Sequence, residues 1–434
     1  MKKLELHWQI LIGMVLGILF GFLAAEMKWN NFVIDWIKPF GTIFINLLKM
    51  IAVPLIIVSL VTGIAELKDI AKISKMGGKT IGLYLFTTMV AVSIGLIFAN
   101  VIQPGNFIDE SARDQLMQQY SGDAGGAILE AESQKDLGPL QPLVDIVPEN
   151  FFFSLGDNSK MLQVIFFTIL IGIGLILIPE HKARPVTEFF SGLNEVILKI
   201  IDIIMRVAPL GVFALLAAIL VEIPSFSVLQ ALLVYGLTVL GGLIFLILFF
   251  YSSIIKIFTK LGYVQFLKAI APAQLVGFST SSSAATLPVT MERVTEHMGV
   301  DEEVSSFVLP LGATINMDGT ALYQAVAAVF IAQAFGLQLD LSTQLMIVLT
   351  ATLASIGSAA VPSAGMVMLV IVLGQAGIPE AGLALIFAID RPLDMCRTVV
   401  NITSDATVAA LIATSQGQLH DPKAKKLDDH YPKV

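Results

Sequence analysis

Long stretches without a charged residue alternate with short charged segments along the chain. Residues 8–25 and 223–255 contain no Asp, Glu, Lys or Arg, and neither do residues 269–291 and 341–379. A helix needs about 20 mainly apolar residues to cross ~30 Å of hydrocarbon, so runs of this length predict membrane-spanning helices. The pattern places six ordinary spans at 8–28, 36–66, 80–102, 141–178, 190–221 and 227–257.

The apolar runs in the last third of the chain are interrupted by small polar residues. Ser279–Ser283 and then Pro288 break the first run, and Ser355–Gly365 breaks the second. Irregular backbone at membrane depth is tolerated only where it lines a protein cavity, and paired interrupted segments mark transporter binding sites. We therefore expect two helical hairpins, at about 264–298 and 338–377. The alternative is two ordinary spans with proline kinks.

A polar span follows each predicted hairpin. The span at about 302–335 carries Asn316 and Asp318 between Gly312 and Gly319. Residues two apart do not face the same way on a helix, so these side chains and the flanking glycines indicate local unwinding. Free carbonyls with an aspartate and an asparagine form a hard oxygen site, which suits Na⁺ better than a transition metal.

The span at about 381–417 carries a stripe of polar side chains. At 100° per residue, Asp390, Asp394, Arg397, Asn401 and Asp405 fall within about 80° of arc. An intramembrane aspartate or arginine costs about 2.5–3.5 kcal/mol, so the stripe must face partners or a cavity. A purely structural ion-pair network is the alternative. Against it, four aspartates in the two polar spans exceed two arginines, and bound cations would balance the remainder.

Composition excludes several classes of protein. The 434 residues are 56% hydrophobic and 14% charged, whereas soluble domains carry roughly 25% charged residues. A soluble enzyme, a disordered protein and, at a net charge of −8, a nucleic-acid-binding protein are therefore not expected. One cysteine, Cys396, permits no intramolecular disulfide, and five scattered histidines predict no metal site of their own.

Basic segments predict the orientation. Lysines at 68–79, at 256–268 and in the tail fall on one side with the N-terminus, which by the positive-inside rule is cytoplasmic. The segment 105–150 then lies outside, and it is rich in acidic residues. The first apolar run lacks a cleavage site and is expected to stay as a span. We expect both termini in the cytoplasm of a prokaryotic cell, with 419–434 as a tail.

Several motifs together resemble the glutamate/aspartate transporter family, the dicarboxylate/amino acid:cation symporters. They cover nearly the whole chain in order: Ser281-Ser282-Ser283 with Thr286-Leu287-Pro288, Asn316-Met317-Asp318-Gly319-Thr320, Ser355-Ile356-Gly357-Ser358 with Val361-Pro362, and Asp394, Arg397, Thr398, Asn401 and Asp405. The resemblance implies an all-α polytopic membrane protein with eight transmembrane helices, two re-entrant hairpins and inverted repeats. It implies an elevator-type transporter in the plasma (inner) membrane, assembled as a homotrimer.

The resemblance also divides the chain. Residues 1–257 would form mainly a scaffold and trimer interface, with spans 3 and 6 moving with the transport core. Residues 258–418 would form that core, and the second hairpin would be its external gate. The implied substrate residues are Ser282, Ser283, Thr320, Val361, Asp394, Arg397, Thr398 and Asn401, with Asp390 and Arg391 as supporting charges.

Three Na⁺ sites are implied by the same resemblance. The first would use Gly312, Asn316, Asn401 and Asp405, and the second Thr314, Ser355, Ile356 and Ser358. The third would use Tyr84, Thr87 and Thr88 with Asn316 and Asp318, since Tyr84-Leu85-Phe86-Thr87-Thr88 carries the matching pattern.

The substrate that the resemblance implies is an acidic amino acid, L-aspartate or L-glutamate. Arg397 would pair with its side-chain carboxylate and Asp394 with its ammonium group. A C4-dicarboxylate offers no ammonium to Asp394, and neutral amino acids need no Arg397; carriers of these substrates are the alternatives within the family. Gln324 stands where some relatives carry a glutamate, so no proton or K⁺ coupling is expected there. An ion channel and an intramembrane hydrolase are the competing classes.

Overall fold

A computed structural model describes residues 6–66, 74–119, 147–156, 161–222, 226–356 and 364–422. Within these ranges the chain is helical and contains no β-strand, and one isolated bridge pairs Val300 with Leu419. Helices satisfy their backbone polar groups internally, as an apolar surrounding requires. The longer helices are α1 Leu6–Glu26, α2 Lys38–Glu66, α3 Ser74–Ile102, α4 Glu110–Gln119, α5 Met161–Leu177, α6 Glu180–Glu222, α7 Phe226–Phe245, α8 Ser252–Phe258, α9 Tyr263–Thr280, α10 Ser283–Glu292, α11 Glu302–Ile315, α12 Asp318–Ala334, α13 Leu341–Ile356, α14 Ala364–Gln375 and α15 Leu383–Gln416.

Several helices begin earlier than the apolar pattern predicted. Helix α3 starts at Ser74 and α6 at Glu180, so Lys79 lies in a helix and not in a basic loop. Long basic side chains reach water from a helix end, which lets the helix run past the apolar limit. The predicted external segment 105–150 is also not wholly irregular, because it contains α4. Residues 120–146 of that segment lie outside the described residues.

Small residues on α1 bring it close to α6. A side chain on Gly13 or Gly17 would overlap the backbone of Pro209 or Phe213, and one on Gly21 would crowd α6 one turn further on. The two helices pack together over much of their length, and α6 also packs along α2. The glycine ridge therefore serves contact within the chain.

Both predicted hairpin segments contain a pair of packed helices. Helices α9 and α10 contact each other and are joined at Ser281, which has a left-handed backbone (φ 52°). Ser282 then caps α10, since its side chain accepts a hydrogen bond from the Ala285 amide at 3.2 Å. In the second hairpin α13 packs on α14, and the connecting residues 357–363 lie outside the described residues.

The predicted unwinding in the first polar span is confirmed. Helix α11 ends at Ile315, Asn316 and Met317 leave the helical conformation, and α12 starts at Asp318. Every residue of α12 except Gln333 is buried. Helix α12 packs against α3, α7, α13 and α15, so the break lies at the centre of the protein.

Three helical stretches are long and apolar enough to cross a membrane among the described residues. They are Met76–Phe107, Phe226–Phe258 and Glu302–Ala334, and a fourth follows if the bent pair Glu180–Ile201 and Arg206–Val221 counts as one span. The apolar window of Glu302–Ala334 is fully buried, whereas fewer than half of the residues are buried in the windows of the other two. The broken helix thus lies inside the bundle.

Candidate functional site

The polar stripe of α15 surrounds a buried arginine. Arg397 is 0% exposed, and its Nη2 lies 2.8 Å from Asp394 Oδ1 and 3.0 Å from Asp390 Oδ1. Arg391 reaches the other oxygen of the same aspartate, with Nη1 3.2 Å from Asp394 Oδ2. Residues 390, 394 and 397 are three or four apart on a helix, so they share one face. Asp394 is held between two guanidinium groups.

The remaining faces of Arg397 are apolar or lack a partner. The ring of Tyr323 on α12 lies under the guanidinium, with its centroid 3.9 Å from Cζ. Nε and Nη1 of Arg397 are buried and have no hydrogen-bond acceptor among the described residues. Buried N–H groups without an acceptor are costly, and charged guanidinium N–H groups form strong hydrogen bonds with carboxylate oxygens. The arrangement suits an anionic group placed against Arg397.

The break between α11 and α12 contacts α15 directly beside Arg397. The Gly319 amide donates to Asn401 Oδ1 at 2.8 Å, and Asn401 Nδ2 contacts Met317 Sδ at 3.1 Å. A side chain on Gly319 would overlap the carbonyl of Arg397. A glycine is needed here because the first turn of α12 lies against the α15 backbone.

Three hydroxyl groups converge on the carboxylate of Asp318. Thr88 donates to Oδ1 at 2.6 Å, while Tyr251 and Ser404 both donate to Oδ2 at 2.7 Å. These donors come from α3, from the π-helical turn Leu246–Tyr251 that follows α7, and from α15. Asp318 itself begins α12 at the break. No Lys or Arg in the described part of the chain lies at ion-pair distance from it.

A second buried carboxylate, Asp405, lies on α15 directly after Ser404. Asn316 Nδ2 donates to Asp405 Oδ1 at 2.8 Å, and the oxygen of the same amide is buried without a donor among the described residues. A side chain on Gly312 would overlap both Asp405 Oδ1 and the Tyr84 hydroxyl, so these groups meet at one point. Tyr84 donates to the Val308 carbonyl at 2.9 Å.

Charge is divided unequally between the residues around Arg397 and the pair formed by Asp318 and Asp405. Asp390 and Asp394 are balanced by Arg391 and Arg397, which makes the region around Arg397 neutral as a set. The excess of two negative charges that the sequence predicted therefore falls on the other pair, Asp318 and Asp405. Carboxylates buried without a counter-charge require a cation or protons. Carboxylate, amide and hydroxyl oxygens are suitable ligands for Na⁺.

Helix α14 of the second hairpin contacts the region around Thr320 and Arg397. A side chain on Gly365 would lie 2.7 Å from Thr320 Cγ2 and 3.5 Å from Arg397 Nη1. Gln324 Nε2 donates to the Gly365 carbonyl at 3.2 Å, and the Gln324 side-chain oxygen is buried with no donor in the described ranges. Thr398 is buried beside Arg397 and donates to the Asp394 carbonyl at 3.0 Å.

The other predicted site residues do not share one environment. Ser283 is buried at the start of α10, Thr87 donates to the Tyr84 carbonyl, and Ser355 and Thr314 donate to backbone carbonyls within one turn. Val361 and Ser358 lie outside the described residues, as does the side chain of Ile356.

The sequence did not indicate Tyr251, Tyr323 or the role of Ser404. Tyr251 lies in a run of large apolar residues, and only the π-helical turn around it would have signalled a functional position. Ser404 stands next to Asp405 in the sequence, yet its hydroxyl contacts Asp318.

Residues 6–415 match the sodium:dicarboxylate symporter family. Similar proteins include a proton/sodium-glutamate symport protein of Geobacillus stearothermophilus, 36% identical over 428 residues that cover 98% of each chain. A proton/glutamate-aspartate symporter of Escherichia coli (strain K12) is 36% identical, covering 97% of this chain and 95% of its own. Excitatory amino acid transporter 3 of Mus musculus is 34% identical, covering 93% and 85% respectively.

Proposed function

The chain belongs to the sodium:dicarboxylate symporter family, and we propose that it is a sodium-coupled symporter of acidic amino acids rather than an enzyme. The observation that carries the proposal is the buried Arg397, which is bound to Asp394 and has two N–H groups without acceptors among the described residues. The relatives that are named for glutamate or aspartate symport support the same substrate class.

Arg397 and Asp394 define what the substrate must carry. The Nε and Nη1 groups of Arg397 would donate to the side-chain carboxylate, and Asp394 would receive the ammonium group. Asn401, Ser283 and the backbone of the first hairpin would hold the α-carboxylate. Thr320 and Thr398 would line the pocket, with Ser282 and Val361 at the hairpin tips. A dicarboxylate lacks the ammonium group and is the less favoured alternative, as is a neutral amino acid.

Asp318 and Asp405 would hold the coupling ions. Two buried negative charges and one negative amino acid are neutralised by three Na⁺, which makes a loaded unit that can cross an apolar medium. One ion would bind at Asp405 with Asn316, Asn401 and Gly312, and another at Asp318 with the hydroxyls of α3. The third would bind near Thr314 and the second hairpin, around Ser355, Ile356 and Ser358.

The proposed mechanism is an elevator. The hairpins with α11, α12 and α15 would move as one transport core, corresponding to 258–418, against a scaffold within 1–257 that forms a homotrimer. The 338–377 hairpin would act as the external gate, and the protein would cross the plasma (inner) membrane eight times with both termini in the cytoplasm. The packing of α14 through Gly365 against Thr320 supports a gate at this position.

Uptake into proteoliposomes tests the proposal. Labelled L-aspartate or L-glutamate is expected to accumulate with an inward Na⁺ gradient and not with K⁺, and each is expected to compete with the other. Succinate competing equally well would make the protein a dicarboxylate carrier, and competition by alanine alone would indicate neutral substrates. Accumulation without Na⁺ would remove Asp318 and Asp405 as ion sites. A label recovered in a chemically changed form would indicate an enzyme.

A further inference from the structure

A second group of charged residues lies outside the candidate site, at the end of the first hairpin. Glu292, Glu296 and His297 each offer one ligand atom, and these three atoms lie within 4.8 Å of one another. His297 Nε2 and Glu292 Oε1 are 3.9 Å apart. The side chains of His297 and Glu292 are 22% and 39% exposed, so the group is partly shielded but reachable from solvent.

The local backbone explains why these residues meet. In an α-helix, residues five apart point about 140° away from each other, which would separate Glu292 from His297. Residues Arg293–His297 instead form a π-helical turn, in which residues five apart are joined by the backbone hydrogen bond and lie nearly above one another. The turn therefore brings His297 onto the face that carries Glu292, while Glu296 remains its neighbour.

We propose that Glu292, Glu296 and His297 bind one divalent transition-metal cation of the Zn²⁺ class, with water in the fourth position. Ligand atoms in a tetrahedral zinc site are about 3.4 Å apart, given bonds of about 2.0–2.2 Å. The 3.9 Å pair needs a shift of about half an ångström, and a pair at the 4.8 Å limit would need about 1.4 Å. One imidazole and two carboxylates favour a transition metal over Mg²⁺ or Ca²⁺, which prefer oxygen ligands alone.

The neighbouring arginine does not occupy the site. Arg293 donates from Nε to the Ala269 carbonyl of α9 at 2.7 Å, and its Nη1 is 3.8 Å from Glu292 Oε1. The guanidinium is thus anchored to the first arm of the hairpin and leaves Glu292 within reach of a metal. The spacing of histidines along the sequence does not reveal this group, because the group contains a single histidine. Its other two members are carboxylates in the same helical turn.

The test measures Zn²⁺ binding to the purified full-length protein in detergent, by competition with a zinc-binding fluorophore. His297→Ala, Glu292→Gln and Glu296→Gln are each expected to weaken the affinity at least about tenfold. His420→Ala is the matched control, because the His420 side chain is 60% exposed and Asp301, at 3.7 Å, is its ion-pair partner among the described residues. Its Zn²⁺ affinity is expected to equal that of the wild type.

Spectroscopy and competition separate a metal site from a folding effect. Co²⁺ is expected to give the visible bands of a tetrahedral site in the wild type and in His420→Ala, and to lose them in His297→Ala. All variants should keep the Na⁺-induced thermal shift of the wild type, which shows that they are folded. Unchanged Zn²⁺ affinity in His297→Ala, an equal loss in His420→Ala, or displacement of Zn²⁺ by equimolar Mg²⁺ would overturn the proposal.

Discussion

The division of charge around α15 predicts that two buried aspartates have separable roles. Asp318 has no cationic partner among the described residues, whereas Asp390 lies 3.0 Å from Arg397. Replacing Asp318 with asparagine should therefore weaken Na⁺ binding, and replacing Asp390 should leave it nearly unchanged. Both variants remove one negative charge from a buried aspartate, so each is a matched control for the other.

The expected magnitudes follow from distance. A unit charge about 4 Å from Na⁺ at an effective dielectric constant of about 20 contributes ~4 kcal/mol, or about a thousandfold in affinity. Asp390 is 15 residues from Asp405, which is ~22 Å along a helix. At that distance the same expression gives ~0.8 kcal/mol, less than about fourfold, and the charge of Arg397 opposes it.

The assay is thermal denaturation of the detergent-purified protein during a Na⁺ titration without amino acid. Ligand at 100 times its dissociation constant stabilises the folded state by ~2.7 kcal/mol, and a thousandfold loss of affinity removes nearly all of that. Asp318→Asn should lose the stabilisation that comes from its site, and the double variant with Asp405→Asn should keep at most the part that comes from the third site, which uses neither aspartate. Asp390→Asn should keep the whole shift but bind L-aspartate more weakly.

Two results would refute the reasoning. If Asp390→Asn lost as much Na⁺ stabilisation as Asp318→Asn, both aspartates would contribute equally to Na⁺ binding. The division of charge between the two regions would then be wrong. If the double variant at 318 and 405 kept the wild-type shift, Na⁺ would bind elsewhere. A variant that does not fold at all is recognised by its low melting temperature in the absence of Na⁺.

Further substitutions at Gly319, Tyr323 and Gln324 test the surroundings of Arg397. Gly319→Ala should lower the melting temperature by an amount corresponding to ~1–3 kcal/mol, because the added side chain meets the backbone of α15. Gly82→Ala should not, because its side chain meets none of the described residues within 4 Å. Tyr323→Leu should weaken acidic amino acid binding up to about 30-fold, because it removes a buried cation–π contact of ~2 kcal/mol. Tyr323→Phe keeps the ring and should retain the affinity. Equal losses of affinity in both variants would assign the effect to the hydroxyl. Gln324→Glu should introduce a pH dependence of uptake that the wild type lacks, and a pH-dependent wild type with an unchanged variant would contradict the role given to Gln324.

The polar stripe and the helix break could be predicted because each violates a local rule. Charged residues at helical spacing within an apolar span, such as Asp394 and Arg397, require an internal environment. Asn316 and Asp318 are two residues apart between glycines, so a regular helix cannot point both side chains at one site. Such violations are visible in the sequence because the membrane makes them costly.

The donors to Asp318 could not be predicted in the same way. Tyr251 is 67 residues from Asp318 and Thr88 is 230, and both reach it only because α3, α7 and α15 pack around α12. A tyrosine in an apolar helix is ordinary until the neighbouring carboxylate is known. The family resemblance supplied Thr88, but Tyr251 required the structure, since its position depends on the π-helical turn that precedes α8.

The break between α11 and α12 links the two regions of the site by short contacts. Asn316 bonds Asp405, Asp318 bonds Ser404, and the next residue, Gly319, bonds Asn401 against the carbonyl of Arg397. With Met317, which contacts Asn401, four consecutive residues thus contact one face of α15, with the proposed ion-binding groups at one end and the arginine at the other. A cation that orders Asp318 must also fix the Gly319 amide, and with it the backbone that carries Arg397. Coupling between Na⁺ and the amino acid therefore needs no distant conformational relay, because binding at either region selects the same geometry of this segment.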